Sequence, residues 1–218
     1  MHPFLFNIFY KMEKSTENKQ VILNNALSLF SEKGYEGVGV QEICTASNIT
    51  KPTLYYYFSS KSGLLSAIIE DFGKSFYDRL EKAAEYKRDF VQGLNDLLVA
   101  EILTAEENPA FFRLHSSLAT ASEDSEGGKI YRDFSQKIEK LFEDFFYKSV
   151  NEIGNMRSKE LLFSRIYLST CHSVALDIIN GKFSDDKKRE NTRFSENPAF
   201  PSFVNSIVHA FAYGVVNG

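Results

Sequence analysis

The stretch Thr50 to Lys61, Thr-Lys-Pro-Thr-Leu-Tyr-Tyr-Tyr-Phe-Ser-Ser-Lys, gathers side chains suited to holding a polyanion. It predicts a short helix. Thr50 can cap the start, because a Thr oxygen accepts a backbone N–H that has no helical partner. Pro52 falls in the first turn, where its missing N–H costs nothing. Leu54 and Phe58 are four apart and share a face that can anchor the helix to a core. At ~100° per residue, Pro52, Thr53 and Tyr56 point the opposite way, with Tyr55 and Tyr57 on the flanks. Lys51 and Lys61 stand at the two ends, and no acidic residue occurs between Ala46 and Ile69. Hydroxyls, rings and cations without carboxylates suit a phosphate-lined groove. A tyrosine-rich surface helix is the other reading of the same residues, and the surrounding elements decide between the two.

Ile43-Cys44-Thr45-Ala46-Ser47-Asn48-Ile49 reads as a short helix ending in a tight turn. Asn48 stands where the chain reverses, and Asn tolerates a left-handed conformation better than most residues. Ile49 then supplies an apolar contact for the next helix. Helix, short turn, helix is the unit whose second helix enters the DNA major groove.

These residues carry a family resemblance. Gly34-Tyr35-Glu36, Val40-Gln41-Glu42-Ile43-Cys44, Ile49 through Phe58 and Lys61-Ser62-Gly63-Leu64-Leu65 resemble the N-terminal domain of the tetracycline-repressor (TetR) family over roughly Ile22 to Ile69. Several separate pieces keep the family spacing. Gly39 departs from it, standing where the family usually has Thr or Ser, so a side-chain cap and a phosphate contact are lost. Asn48 replaces the usual turn Gly. Both remain tolerable at their positions. The resemblance implies a regulator, more often a repressor, that binds a roughly palindromic double-stranded operator as a dimer, with its two reading helices ~34 Å apart. It implies DNA contacts from Gln41, Thr50, Lys51, Pro52, Thr53, Tyr55, Tyr56, Tyr57 and Lys61, the last holding phosphate. It also implies a small inducer in the C-terminal body that shifts the fourth helix, favouring the spacing that does not bind DNA.

Charge distribution agrees with DNA binding at one end only. The chain of 218 residues has a net charge of −4, but residues 1–65 carry six Lys/Arg against five Asp/Glu, and the remainder nineteen against twenty-four. A neutral-to-basic unit precedes an acidic body. Cys44 and Cys171, far apart in apolar patterns, form no disulfide framework or zinc spacing and read as buried hydrophobes in a reducing cytoplasm. Residues 1–11 are apolar, lack signal-peptide features and are too short to span a bilayer. Residues 1–14 are expected as a flexible extension, and Met12 looks like a more natural start.

The expected fold is all-α with about nine helices: a three-helix helix-turn-helix domain over 15–62 and a helical ligand-binding and dimerisation domain over 63–218. Ile22, Ala26, Leu29 and Phe30 give residues 16–33 one apolar stripe. With Ile43, Leu54 and Phe58 this stripe closes a small bundle. A long helix from Leu64 to about Tyr86 leads away from it. Further helices are expected at about 88–106, 109–121, 127–153, 157–181 and 199–216, with a polar loop over 181–198.

Phe200 to Val216 carries no charge, which predicts burial on more than one side. Paired with 157–181 it reads as half of an intermolecular four-helix bundle. Interface residues are expected at Ile166, Ser169, Ser173, Val204, Ile207, Val208, Phe211 and Val215; an intramolecular core pair is the alternative. Three pairs four apart, Phe111 with His115, Phe142 with Phe146 and Tyr167 with Cys171, are expected to line a mainly apolar cavity for a small apolar or aromatic ligand.

An enzyme is not expected. A di-metal bundle needs Glu-x-x-His, and the residues three before His115, His172 and His209 are Phe112, Ser169 and Ser206. No cofactor, metal or membrane partner is expected. A helical sensor without DNA binding is the remaining alternative: Gly39 permits it, while Lys51 and Lys61 argue against it.

Overall fold

The computed structural model describes the backbone of residues 3–150, 156–183 and 193–216, and side chains within those spans from residue 16 to residue 213. Among the described residues the chain is helical, with no strand. The helices are α1 (Pro3–Lys33), α2 (Val40–Ala46), α3 (Lys51–Phe58), α4 (Lys61–Ala83), α5 (Phe90–Glu107), α6 (Pro109–Ala119), α7 (Glu126–Ser149), α8 (Glu160–Ile179) and α9 (Phe200–Val216), with a 3-10 turn at Phe194–Glu196. Expected helix ends shift by up to four residues. The larger difference is at the start. Residues 1–14 are expected as an extension, yet the helix already runs from Pro3. No Gly or Pro interrupts the chain between Phe4 and Lys33, so nothing local stops the helix from continuing backwards.

Two compact units divide the chain. The first comprises residues up to Phe72 together with Arg113–Tyr131; the second comprises Gly73–Phe112 and the chain from Arg132 onwards. By compactness the boundary falls inside α4 between Phe72 and Gly73, whereas the expected one is at 62/63.

In the first unit, Ile22 and Phe30 of α1, Ile43 of α2 and Leu54 and Phe58 of α3 are buried together, joined by Leu64, Leu65 and Ile68 of α4. Each position follows from helical periodicity. Gly34 ends α1 with φ +73, the left-handed geometry that favours glycine. Tyr35 turns back, and its ring lies edge-on to Phe30 at 5.2 Å. The Tyr35 hydroxyl donates to Glu126 Oε2 at 2.8 Å, and the Gly127 N–H donates to Glu36 Oε1 at 3.1 Å. Burial and the Glu126 carboxylate push the Tyr35 phenol well up, so it stays a proton donor.

In the second unit, α5 packs against α8 and α9. Aromatic rings fill the space. Phe145 stacks on Phe90 at 5.8 Å, while its neighbour Phe146 meets Tyr167 and Phe211, each at 6.2 Å. Adjacent residues thus point into different parts of one core, as helix geometry requires. A Cβ on Gly93 would lie 2.3 Å from the Phe145 ring, so this glycine admits the ring against α5.

Candidate nucleic-acid interface

The interface is built by a turn and two caps. Asn48 adopts φ 52, as the chain reversal demands. The Ile49 N–H returns to Cys44 O at 2.9 Å and closes the turn. Gly39 opens α2 in an extended conformation without a side-chain cap. Thr50 does cap α3: its Oγ1 lies 3.4 Å from the Thr53 N–H and 2.9 Å from the Thr53 hydroxyl. Ser59 closes α3 at φ 64, and the Ser60 Oγ accepts from the Gly63 N–H at 2.9 Å to begin α4. Here a Gly63 side chain has no room, because a Cβ would stand 2.1 Å from the Phe58 carbonyl oxygen.

Anchored by Leu54 and Phe58, α3 turns its other face outward. Tyr56 is 81% exposed and Tyr55 44%. Lys51, Pro52, Thr50 and Gln41 are exposed as well, while Thr53 and Tyr57 are half-buried. The Tyr56 and Tyr57 rings meet edge-on at 5.2 Å, which restrains both. An exposed aromatic with a terminal hydroxyl, on a helix without carboxylates, can offer a ring to thymine methyls and an O–H to phosphates.

Lys61, expected to hold phosphate, has partners within the chain. Its ammonium turns inward, donating to Val38 O at 2.9 Å and lying 4.2 Å from the centre of the Tyr35 ring. The group expected to hold phosphate ties the α1–α2 loop to the start of α4. Lys61→Ala is therefore expected to lower the stability of the first unit by about 1–2 kcal/mol. Thermal melting checks this. A variant that melts like the wild type, with only its salt dependence of DNA binding flattened, would restore the phosphate role.

The residues expected around a ligand fall into separate groups. Phe146, Tyr167 and Cys171 come together in the second unit, where the Tyr167 hydroxyl donates to Leu94 O at 2.6 Å. Burial pushes both the Tyr167 phenol and the Cys171 thiol well up, so neither is an anion or a nucleophile. Phe142 is buried in the same unit. Phe111 packs on Phe76 and Phe134, each at 6.5 Å. His115 belongs to the first unit, where its Nδ1 pairs with the Tyr131 hydroxyl.

One residue of the second unit escaped the sequence reading. Glu101 of α5 is fully buried near Cys171 and His172 of α8. The signal is a charge on an apolar stripe, since Glu101 follows Leu97 and Leu98 at i+4 and i+3.

The expected dimer residues also divide. Ile166, Ser169 and Ser173 form an exposed line on α8. Val204 and Val208 do not: both are buried within the chain's own core, as the alternative of an intramolecular pair anticipated. Ile207 and Phe211 are half-buried, and Phe211 packs on Tyr167 at 4.6 Å. The side chain of Val215 lies outside the described residues. Among the described residues no helix is long and apolar enough to cross a membrane.

Comparison with known proteins agrees with this geometry. Residues 22–68 match the family model described as bacterial regulatory proteins, tetR family. Over 138 residues, 60% of this chain and 70% of the relative, the sequence is 32% identical to the biofilm operon icaADBC HTH-type negative transcriptional regulator IcaR of Staphylococcus aureus (strain Newman). The fold is that of the TetR family regulator PfmR from Thermus thermophilus, with a TM-score of 0.60 and 24% identity over 90% of this chain and 97% of that one. It is also that of FadR from Bacillus subtilis, solved in complex with stearoyl-CoA, with a TM-score of 0.66 and 15% identity over 90% of this chain and 98% of that one. A helix-turn-helix with an outward, carboxylate-free reading face, a helical body and a relative matched at this level lead to one conclusion: the chain belongs to the TetR family of DNA-binding bacterial transcriptional regulators.

Proposed function

We propose that the chain is a cytoplasmic repressor that binds a roughly palindromic duplex as a homodimer and is released by a small, mainly apolar ligand. The exposed, acid-free face of α3 carries this reading. Tyr55, Tyr56 and Lys51 there serve no core, and a surface kept free of carboxylates matches a polyanion. The negative regulation named for IcaR supports repression, and the acyl-CoA complex of FadR supports a ligand in the helical body. The exposed α8 line of Ile166, Ser169 and Ser173, with Leu162 beside it, supports a helix-to-helix contact between copies, which would space two reading helices for successive major grooves. The catalytic alternative loses its basis with membership of a family of regulators.

Selection from a pool of random duplexes tests the proposal. At low salt the wild-type chain is expected to enrich an inverted-repeat sequence, and the affinity for it should fall steeply as salt rises. Fragments recovered without any shared sequence would leave only non-specific binding and remove the regulator reading from this chain.

A further inference from the structure

Glu101 is a buried carboxyl group without a hydrogen-bonding partner. Its side chain is 0% exposed, and among the described residues neither carboxylate oxygen has a donor within reach. Its ion-pair contact is with His172, whose Nδ1 stands 3.8 Å from Glu101 Oε2, beyond hydrogen-bond distance. Removing a carboxylate from water without pairing is costly, and a chain that needed only packing there would carry leucine.

The surroundings are aromatic. The His172 ring lies stacked on Phe112 at 4.8 Å. The Cys171 thiol, kept neutral by burial, interacts with Glu101 and with Tyr167, the latter one turn away on α8. Among the described residues no three His, Cys, Asp or Glu side chains are placed to hold a metal ion together, Glu101, Cys171 and His172 included. A buried carboxyl group lacking a donor, beside rings whose faces attract cations, matches an organic cation on an apolar or aromatic body.

We infer that Glu101 is the charge-recognition residue for the ligand proposed above, and that this ligand carries a protonated amine or amidinium on an apolar body. The inference rests on the ligand-released reading proposed above and narrows its ligand class. An amine N–H seated against Glu101 forms the charge-assisted hydrogen bond that the carboxylate lacks, while the body lies among Phe112, Tyr167 and their neighbours.

Matched probes test it: phenylbutylamine, phenylbutanol and phenylbutanoate, and naphthylmethylamine, naphthylmethanol and naphthoate. Each is titrated against the full chain and its Glu101→Gln variant, with release of a selected duplex followed in parallel. At least one amine is expected to bind the wild type ~10-fold or more tightly than its alcohol, with the carboxylate weakest. Glu101→Gln should erase the preference, leave alcohol binding unchanged and melt close to wild type, because the carboxyl group makes no hydrogen bond that the amide would lose. Amines and alcohols binding alike, or a preference that survives in Glu101→Gln, would overturn the inference. So would a variant that melts several degrees lower, since the carboxylate would then be holding the fold. Alcohols that release the duplex equally from both proteins would leave the ligand-released reading standing while this inference falls. If no compound binds or releases the duplex, both fail.

Discussion

Gly63→Ala is expected to unfold the DNA-binding unit and abolish duplex binding. The added Cβ would stand 2.1 Å from the Phe58 carbonyl oxygen and 3.3 Å from its carbon. Both are backbone atoms, and the turn that holds them is already constrained. The Ser59 N–H is bonded to Tyr55 O at 2.9 Å and the Ser60 N–H to Phe58 O at 2.7 Å, with Ser59 left-handed at φ 64. No flexible side chain can yield, so the end of α3 must separate from the start of α4. That displaces Phe58 and Leu64 from the core they share. Overpacking costs about 1–3 kcal/mol where neighbours can adjust, and here we expect ~3 kcal/mol or more. Hydrogen exchange of α2 and α3 amides, with thermal melting, measures it. A variant that binds and melts like the wild type would show that this turn does not set the position of α3.

The second large effect concerns assembly. Ile166→Arg is expected to turn a dimer into monomers while leaving each protomer folded. Ile166 is 44% exposed in the single chain, so an arginine there can reach solvent with little disturbance of the protomer's own packing. Across a symmetric interface it would bury two unpaired charges, at about 3–5 kcal/mol for each. Dimer affinity should then fall by at least two orders of magnitude, and operator affinity with it. Light scattering should give a wild-type dimer and a monomeric variant at micromolar concentration. A monomeric wild type, or a variant that remains dimeric, would remove α8 from the interface. Phe211→Arg is a less direct test, because the Phe211 ring packs on Tyr167 and Phe146 and its loss would also disturb the protomer's own core.

The DNA-binding unit was largely legible in the sequence because its determinants are local. The Thr50 cap, the left-handed Asn48 and the paired anchors Leu54 and Phe58 each act within a few residues. Long-range choices were not legible. Lys61 reads as a free cation at a helix start, and only the folded chain shows the Val38 carbonyl and the Tyr35 ring capturing it. In α9, periodicity finds the Val204 and Val208 stripe but cannot say whether its own core or a second copy covers it; the chain's own core does. For the ligand-lining residues, spacing of four puts side chains on a common face, yet it cannot say which helices face each other. Phe146, Tyr167 and Cys171 therefore come together, while Phe111 joins Phe76 and Phe134. Glu101 carried its own signal, a charge on an apolar stripe, which a search for aromatic pairs passes over.

Tyr56 is the most exposed aromatic of the reading face, and its replacement separates sequence recognition from general attraction to DNA. It makes no core contact that would confuse a binding defect with unfolding, apart from its edge-on neighbour Tyr57. The decisive measurement is the ratio of affinities for the selected duplex and for a random one, for the wild type and Tyr56→Ala, at one salt concentration. Loss of a base contact of this kind should cost about 1–3 kcal/mol on the selected duplex and little on the random one, so the ratio should fall by ~10-fold or more. An unchanged ratio, with both affinities intact, would contradict the assignment of α3 as the helix that reads DNA.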